Sequence, residues 1–190
     1  NNFNNRIYGA AGTDRLINSA GHTIQGSGQI GVGLMALTNQ GLIVANQAAS
    51  LAIDPSSSGV TNTGTLRATN SATLSLQNGA FTNTGGLIEA QAGSHVDLSA
   101  VTITGGTLTS IGTGHLHALS NSTLANLTVS SGTNLELANN QRLNLSGAIL
   151  NAGTIQLLSA GNLTDLVATG GVTLTGAGSI TLSNNGSNRI

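Results

Sequence analysis

One short motif returns at a nearly constant interval, and that interval limits what this chain can fold into. Asn-x-Gly-x-Leu/Ile stands at Asn39-Gln40-Gly41-Leu42-Ile43, Asn62-Thr63-Gly64-Thr65-Leu66 and Asn151-Ala152-Gly153-Thr154-Ile155. Looser copies begin at Asn18, as Asn18-Ser19-Ala20-Gly21-His22-Thr23-Ile24, and at Asn83, as Asn83-Thr84-Gly85-Gly86-Leu87-Ile88. The steps Asn18 to Asn39, Asn39 to Asn62 and Asn62 to Asn83 are 21, 23 and 21 residues. Self-similarity at a fixed period of this size marks a repeat architecture, in which each unit buries its apolar face against its neighbours.

The segments between motifs alternate polar and apolar residues. Thr73-Leu74-Ser75-Leu76, His95-Val96-Asp97-Leu98, Asn134-Leu135-Glu136-Leu137 and Arg142-Leu143-Asn144-Leu145 are examples. Period-two alternation places one set of side chains on the buried face of a strand. Gly, Asn and Ser clusters interrupt these runs and read as turns. No stretch carries helical spacing. Two or three short strands per interval match one coil of a parallel β-helix, with successive coils about 4.8 Å apart. The expected fold is all-β: a right-handed parallel β-helix, or β-solenoid, of about eight coils of roughly 20–25 residues and about 40 Å long.

Composition supports a thin core. Aromatic residues are 2% of the chain, with no Trp, one Tyr and two Phe. A thick globular core recruits aromatics for their area, whereas a narrow tube can be filled with Leu, Ile, Val and Ala. Charged residues are 6% and the net charge is −1. With about 25% expected in an ordinary domain, solubility here rests on amides and hydroxyls. The five basic residues are scattered Arg, which excludes the basic patch a nucleic-acid partner needs. No apolar run is long enough for a membrane span. The absence of Cys removes disulfides and thiolate metal sites.

The motif Asn has a physical reason to recur. Its side chain tolerates left-handed backbone and bonds to neighbouring backbone groups. Stacked at the coil period, its amide can also donate to one Asn and accept from another. The expected structural turn ladder comprises Asn18, Asn39, Asn62, Asn83 and Asn151, with Gly41, Gly64, Gly85 and Gly153 supplying positive φ after them.

Segments such as Val60-Thr61-Asn62-Thr63-Gly64-Thr65-Leu66, Phe81-Thr82-Asn83-Thr84-Gly85-Gly86-Leu87-Ile88 and Ile103-Thr104-Gly105-Gly106-Thr107-Leu108 resemble the β-solenoid repeats of bacterial surface proteins. These belong to the filamentous-haemagglutinin and autotransporter-adhesin type. The resemblance spans nearly the whole chain. It implies a cell-surface or extracellular fibre, stalk or adhesin, and carries no catalytic residues. Asn5-Arg6-Ile7 and Asn188-Arg189-Ile190 match at an offset of 183 residues, and Asn1-Asn2 and Asn184-Asn185 keep it. The expectation is that residues 1–190 form a single solenoid segment, slightly more than one period of a tandem unit. Identical units, end to end, are the expected partners; surface glycans and neighbouring fibres are further ones. Tyr8 and Phe81 are candidates for local plugs.

Candidate chemistry is sparse. Glu89 and Asp97 lie on adjacent strands and could pair for acid–base work on a glycosidic bond, but the aromatic sugar platforms of such enzymes are missing. His115 and His117 share one side of a strand. Two imidazoles can begin a metal site, but zinc normally takes three or four protein ligands. No third ligand is evident in the sequence, and His95 lies about one coil earlier. The expectation is exposed polar positions, with no metal, no cofactor and no catalytic residues. The reading is therefore a structural, non-catalytic building block of a surface or extracellular fibre. The alternatives are a passive stalk whose binding tip lies elsewhere and a carbohydrate-active β-helix enzyme.

Overall fold

A computed structural model describes residues 4–190. The Asn1-Asn2 part of the terminal match lies outside the described residues. All 21 strands join in one hydrogen-bonded network, every pairing is parallel, and no helix occurs among the described residues. The strands wind into a β-solenoid of about 8 turns.

Each early coil contributes three strands. The first face begins with Arg15–Asn18 and continues through Ala36–Asn39 and Val60–Asn62. The second begins with Thr23–Gly26, Leu42–Ala45 and Thr65–Ala68. The third begins with Arg6–Ile7, Gly28–Ile30 and Leu51–Ile53. From Thr73–Thr82 onward, single strands run through a corner and serve two faces.

Strict register makes columns of like residues. On the third face one inward column reads Ile7, Ile30, Ile53, Leu76, Leu98, Ala118, Leu137, Leu157, Leu182. Beside it, on the outward side, stand Arg6, Gln29, Ala52, Ser75, Asp97, His117, Glu136, Gln156 and Thr181. Alternation along each strand has thus become segregation across the wall, apolar to the axis and polar to water. The axis is filled by Leu, Ile, Val and Ala with few exceptions. Phe81 is one. It is buried between Val60 and Ile103 in the first-face column, so it is a core rung and no end plug. Tyr8 is exposed and plugs nothing.

The two terminal triplets occupy different columns. Arg6 is level with Gln29 on the third face, whereas Arg189 pairs with Asp165, which is level with Arg142. Asp54-Pro55-Ser56-Ser57-Ser58-Gly59, the one proline-containing loop, forms the corner between Leu51–Ile53 and Val60–Asn62. There the buried Ser56 Oγ donates to the Gly12 carbonyl at 2.6 Å.

Candidate functional site

The corner between the first and second faces holds the asparagine column. Asn18 Nδ2 donates to Asn39 Oδ1 at 2.7 Å, Asn39 Nδ2 to Asn62 Oδ1 at 2.7 Å, and Asn62 Nδ2 to Asn83 Oδ1 at 2.6 Å. All four side chains are buried, so each amide must be satisfied within the protein. His22 Nδ1 donates to Asn18 Oδ1 at 2.6 Å and starts the chain of bonds. Asn83 Nδ2 ends it on the carbonyls of Gly86 and Gly105, at 3.2 and 3.3 Å.

Asn151 does not belong to this column. It is level with Val129, which is level with Leu108, at the far end of the second face. Its Nδ2 donates to the Ser179 carbonyl at 3.1 Å, and its Oδ1 accepts from the Gly153 amide at 3.2 Å. The motif repeats there in letters, but one corner further along the coil.

The glycine expectation also needs correction. Only Gly85 of the four takes a left-handed backbone, at φ 78°. Gly41, Gly64 and Gly153 do not. They are glycine because the preceding coil lies against them: a Cβ on Gly41 would overlap the carbonyls of Ser19 and His22, one on Gly64 that of Gly41, and one on Gly153 that of Thr133. Around Asn83 the close approach is made by Gly86, whose Cβ would strike Asn62 and Asn83. Gly85 has open space.

A second cluster stands on the third face. Alternation puts His115 and His117 on the outer side of His115–Ala118, and register adds their neighbours. Asp97 is level with His117, which is level with Glu136, and His95 is level with His115. The coil before therefore supplies His95 and Asp97, and the coil after supplies Glu136. His115 Nδ1 lies 2.8 Å from Glu136 Oε1, His117 Nε2 lies 3.2 Å from Glu136 Oε2, and His117 Nδ1 lies 3.2 Å from Asp97 Oδ1. Asn134 Nδ2 sits 2.8 Å from His115 Nδ1 and donates to Glu136 Oε1 at 3.0 Å. The His95 ring stacks on those of His117 and His115, with centroids 4.8 and 5.8 Å away.

The cluster pulls its histidines apart electrically. Hydrogen bonding to Asp97 raises the His117 pKa above the usual histidine value, and the Glu136 charge adds to this. Burial lowers that of His95, and the neighbouring His117 charge lowers it further. His95 Nδ1 is buried with no hydrogen-bond partner among the described residues. A shallow groove lined by His117, Leu119, Glu136, Ala138 and Leu158 opens beside the cluster.

The third metal-type donor next to His115 and His117 is thus Glu136. It lies 19 residues beyond His117 and is invisible to a search for local ligand spacing. The coil period was the signal that could find it. The Glu89–Asp97 pairing does not form its own site. Arg67, level with Glu89 on the second face, takes the Glu89 carboxylate at 2.6 Å, and Gln91 Nε2 donates to its other oxygen at 2.6 Å. Asp97 faces His117 instead.

No protein-family model, curated protein or solved structure matches this chain.

Proposed function

We propose that this chain is a structural, non-catalytic building block of an extracellular or cell-surface fibre, extended by coil-on-coil contact with identical units. The observation that carries the reading is that each coil's inward column is buried only by the coils stacked on it. Leu157 and Ile149 are 0% exposed, while Leu182 and Leu174, directly level with them in the last coil, are 49% and 44% exposed. Ile7 heads the same third-face column and is 41% exposed. These side chains are oriented to pack, and the surface that fits them is another coil of the same make.

The strand edges support the same reading. Among the described residues, Arg15–Asn18 and Thr23–Gly26 in the first coils, and Ser179–Leu182 in the last, have a ladder partner on one side only. A strand edge of this kind offers a row of backbone donors and acceptors that pairs with a further coil. The two end faces differ from one another, so their contact is head-to-tail, and a head-to-tail contact that does not close a ring builds a filament. Ile7 above Leu182 would continue the column without a break. The chain's resemblance to surface solenoid repeats supports a location outside the cell for such a filament.

Sedimentation velocity over a concentration series, followed by electron microscopy, tests this. The expected result is growth into filaments one rod wide. The double variant Leu174→Lys, Leu182→Lys should remain a single rod, because those residues are already exposed and their change leaves each coil intact. A chain that stays monodisperse at every concentration, or charged variants that assemble as well as the parent, would overturn the reading.

A further inference from the structure

We propose that His115, His117 and Glu136 form a binding site for a divalent transition-metal ion of the zinc class, with a fourth coordination position open to solvent. Strand alternation and parallel register fix the donors. Two imidazoles lie on one strand two residues apart, and the carboxylate lies one strand spacing away on the next coil. Their ligand atoms all fall within 4.8 Å of one another. A tetrahedral ion with bonds of about 2.0–2.1 Å needs donors about 3.4 Å apart, so modest side-chain rotation closes the set. The wall of the solenoid holds the three Cα positions and makes the site largely preformed.

The surrounding groups fit that role. Asp97 accepts from His117 Nδ1, which leaves Nε2 to face Glu136 and the ion. A carboxylate on the far nitrogen of a ligating histidine orients the ring and raises its basicity. Asp97 and Glu136 have no Arg partner among the described residues; their only ion-pair partners are histidines. Two carboxylates thus converge on the histidines with no Arg beside them, and a divalent cation is the counter-charge such a donor set accommodates. The imidazole and carboxylate donor set suits zinc, copper or nickel better than calcium or magnesium. The open position faces the groove beside Leu119 and Leu158, so a small ligand or a side chain of a neighbouring fibre can complete the shell.

Isothermal titration calorimetry of the full chain with Zn2+ tests the site. The expected result is one saturable site per chain. His117→Ala and Glu136→Gln should each weaken it more than tenfold, and Asp97→Asn about 10–100-fold through loss of orientation. His22→Ala, remote in the asparagine corner, should leave it unchanged. All these side chains point outward, and circular dichroism of each metal-free variant checks that the rod is intact. X-ray absorption of the zinc complex should show two imidazole nitrogens in the shell. No saturable binding, or binding that survives both His117→Ala and Glu136→Gln, would overturn the proposal. Because filament growth uses the end faces and the metal uses a side wall, each can fail without the other.

Discussion

The same corner, between the first and second faces, is built in two ways along the rod. In the first four coils it is a wide turn whose entry is a buried Asn, and the four amides bond to one another in line. From Gly105 onward the corner narrows to one or two left-handed residues: Gly105 and Gly106 at φ 77° and 70°, Asn126 at 49°, Gly147 at 67°, and Gly170 and Gly171 at 70° and 83°. There the strands Ser122–Val129, Arg142–Asn151 and Thr164–Thr175 pass through the bend without interruption. The difference teaches what a solenoid corner requires. The chain must change direction, and the backbone groups freed by the turn must find partners. A wide corner meets the second demand with an internal column of amides. A tight corner frees fewer groups, and the exposed Asn126 needs only to accept from the Ala148 amide of the next coil, at 3.1 Å.

The sharpest way to break this comparison is at the junction. Gly106 and Gly170 share the same φ, but a Cβ on Gly106 would overlap Asn83, whereas one on Gly170 meets open space. Gly106→Ala should therefore cost about 4 kcal/mol in urea unfolding, and Gly170→Ala only about 1–2 kcal/mol, the intrinsic cost of a left-handed alanine. Equal losses would mean that coils do not abut at the end of the asparagine column. Next in size is Asn62→Ala. It strands the Asn39 donor and the Asn83 acceptor together, and should cost about 3 kcal/mol. Asn126→Ala in the narrow corner loses one exposed contact and should cost about 1 kcal/mol. Ala100 tests the backbone requirement with the opposite sign. It sits in a left-handed bend at φ 56°, and Ala100→Gly should stabilise the rod by about 0.5 kcal/mol, read as a shift in the urea midpoint.

The smallest effect belongs to the last coil. Arg189 hydrogen-bonds both Asp165 oxygens at 2.6 Å and holds that carboxyl below the usual aspartate value. A carboxyl with a lowered folded pKa contributes stability that is present above its unfolded value and fades as pH falls through the folded one. Acidification through that window should loosen Asn188–Arg189 before the interior coils, as seen by amide exchange. Asp165→Asn should remove the pH dependence.

Much of this was legible in the sequence for a simple reason. In a parallel solenoid, residues one period apart touch, so spacing along the chain becomes distance in space. That holds for Asn18, Asn39, Asn62 and Asn83, whose 21- and 23-residue steps lead directly to neighbours. It fails for Asn151 because register accumulates coil by coil. With narrower corners the equivalent position, three coils past Asn83, falls at Gly147, four residues before Asn151. A locally perfect motif was thereby carried to the next corner. The glycines failed for a related reason. Close approach of a neighbouring coil and positive φ both select glycine, and the sequence alone does not separate them. Glu136 was hidden from local ligand spacing yet lies in the same outward column as Asp97 and His117, so the period that predicted the ladder also contained the metal-type cluster.

Side-chain amide hydrogen exchange, resolved by NMR for each asparagine, tests most directly whether coils stack in register. The Nδ2 protons of Asn39 and Asn62 should exchange orders of magnitude more slowly than those of the exposed Asn126, and Asn62→Ala should release Asn39 from protection. Uniformly fast exchange at Asn39, Asn62 and Asn126 would contradict the stacked column.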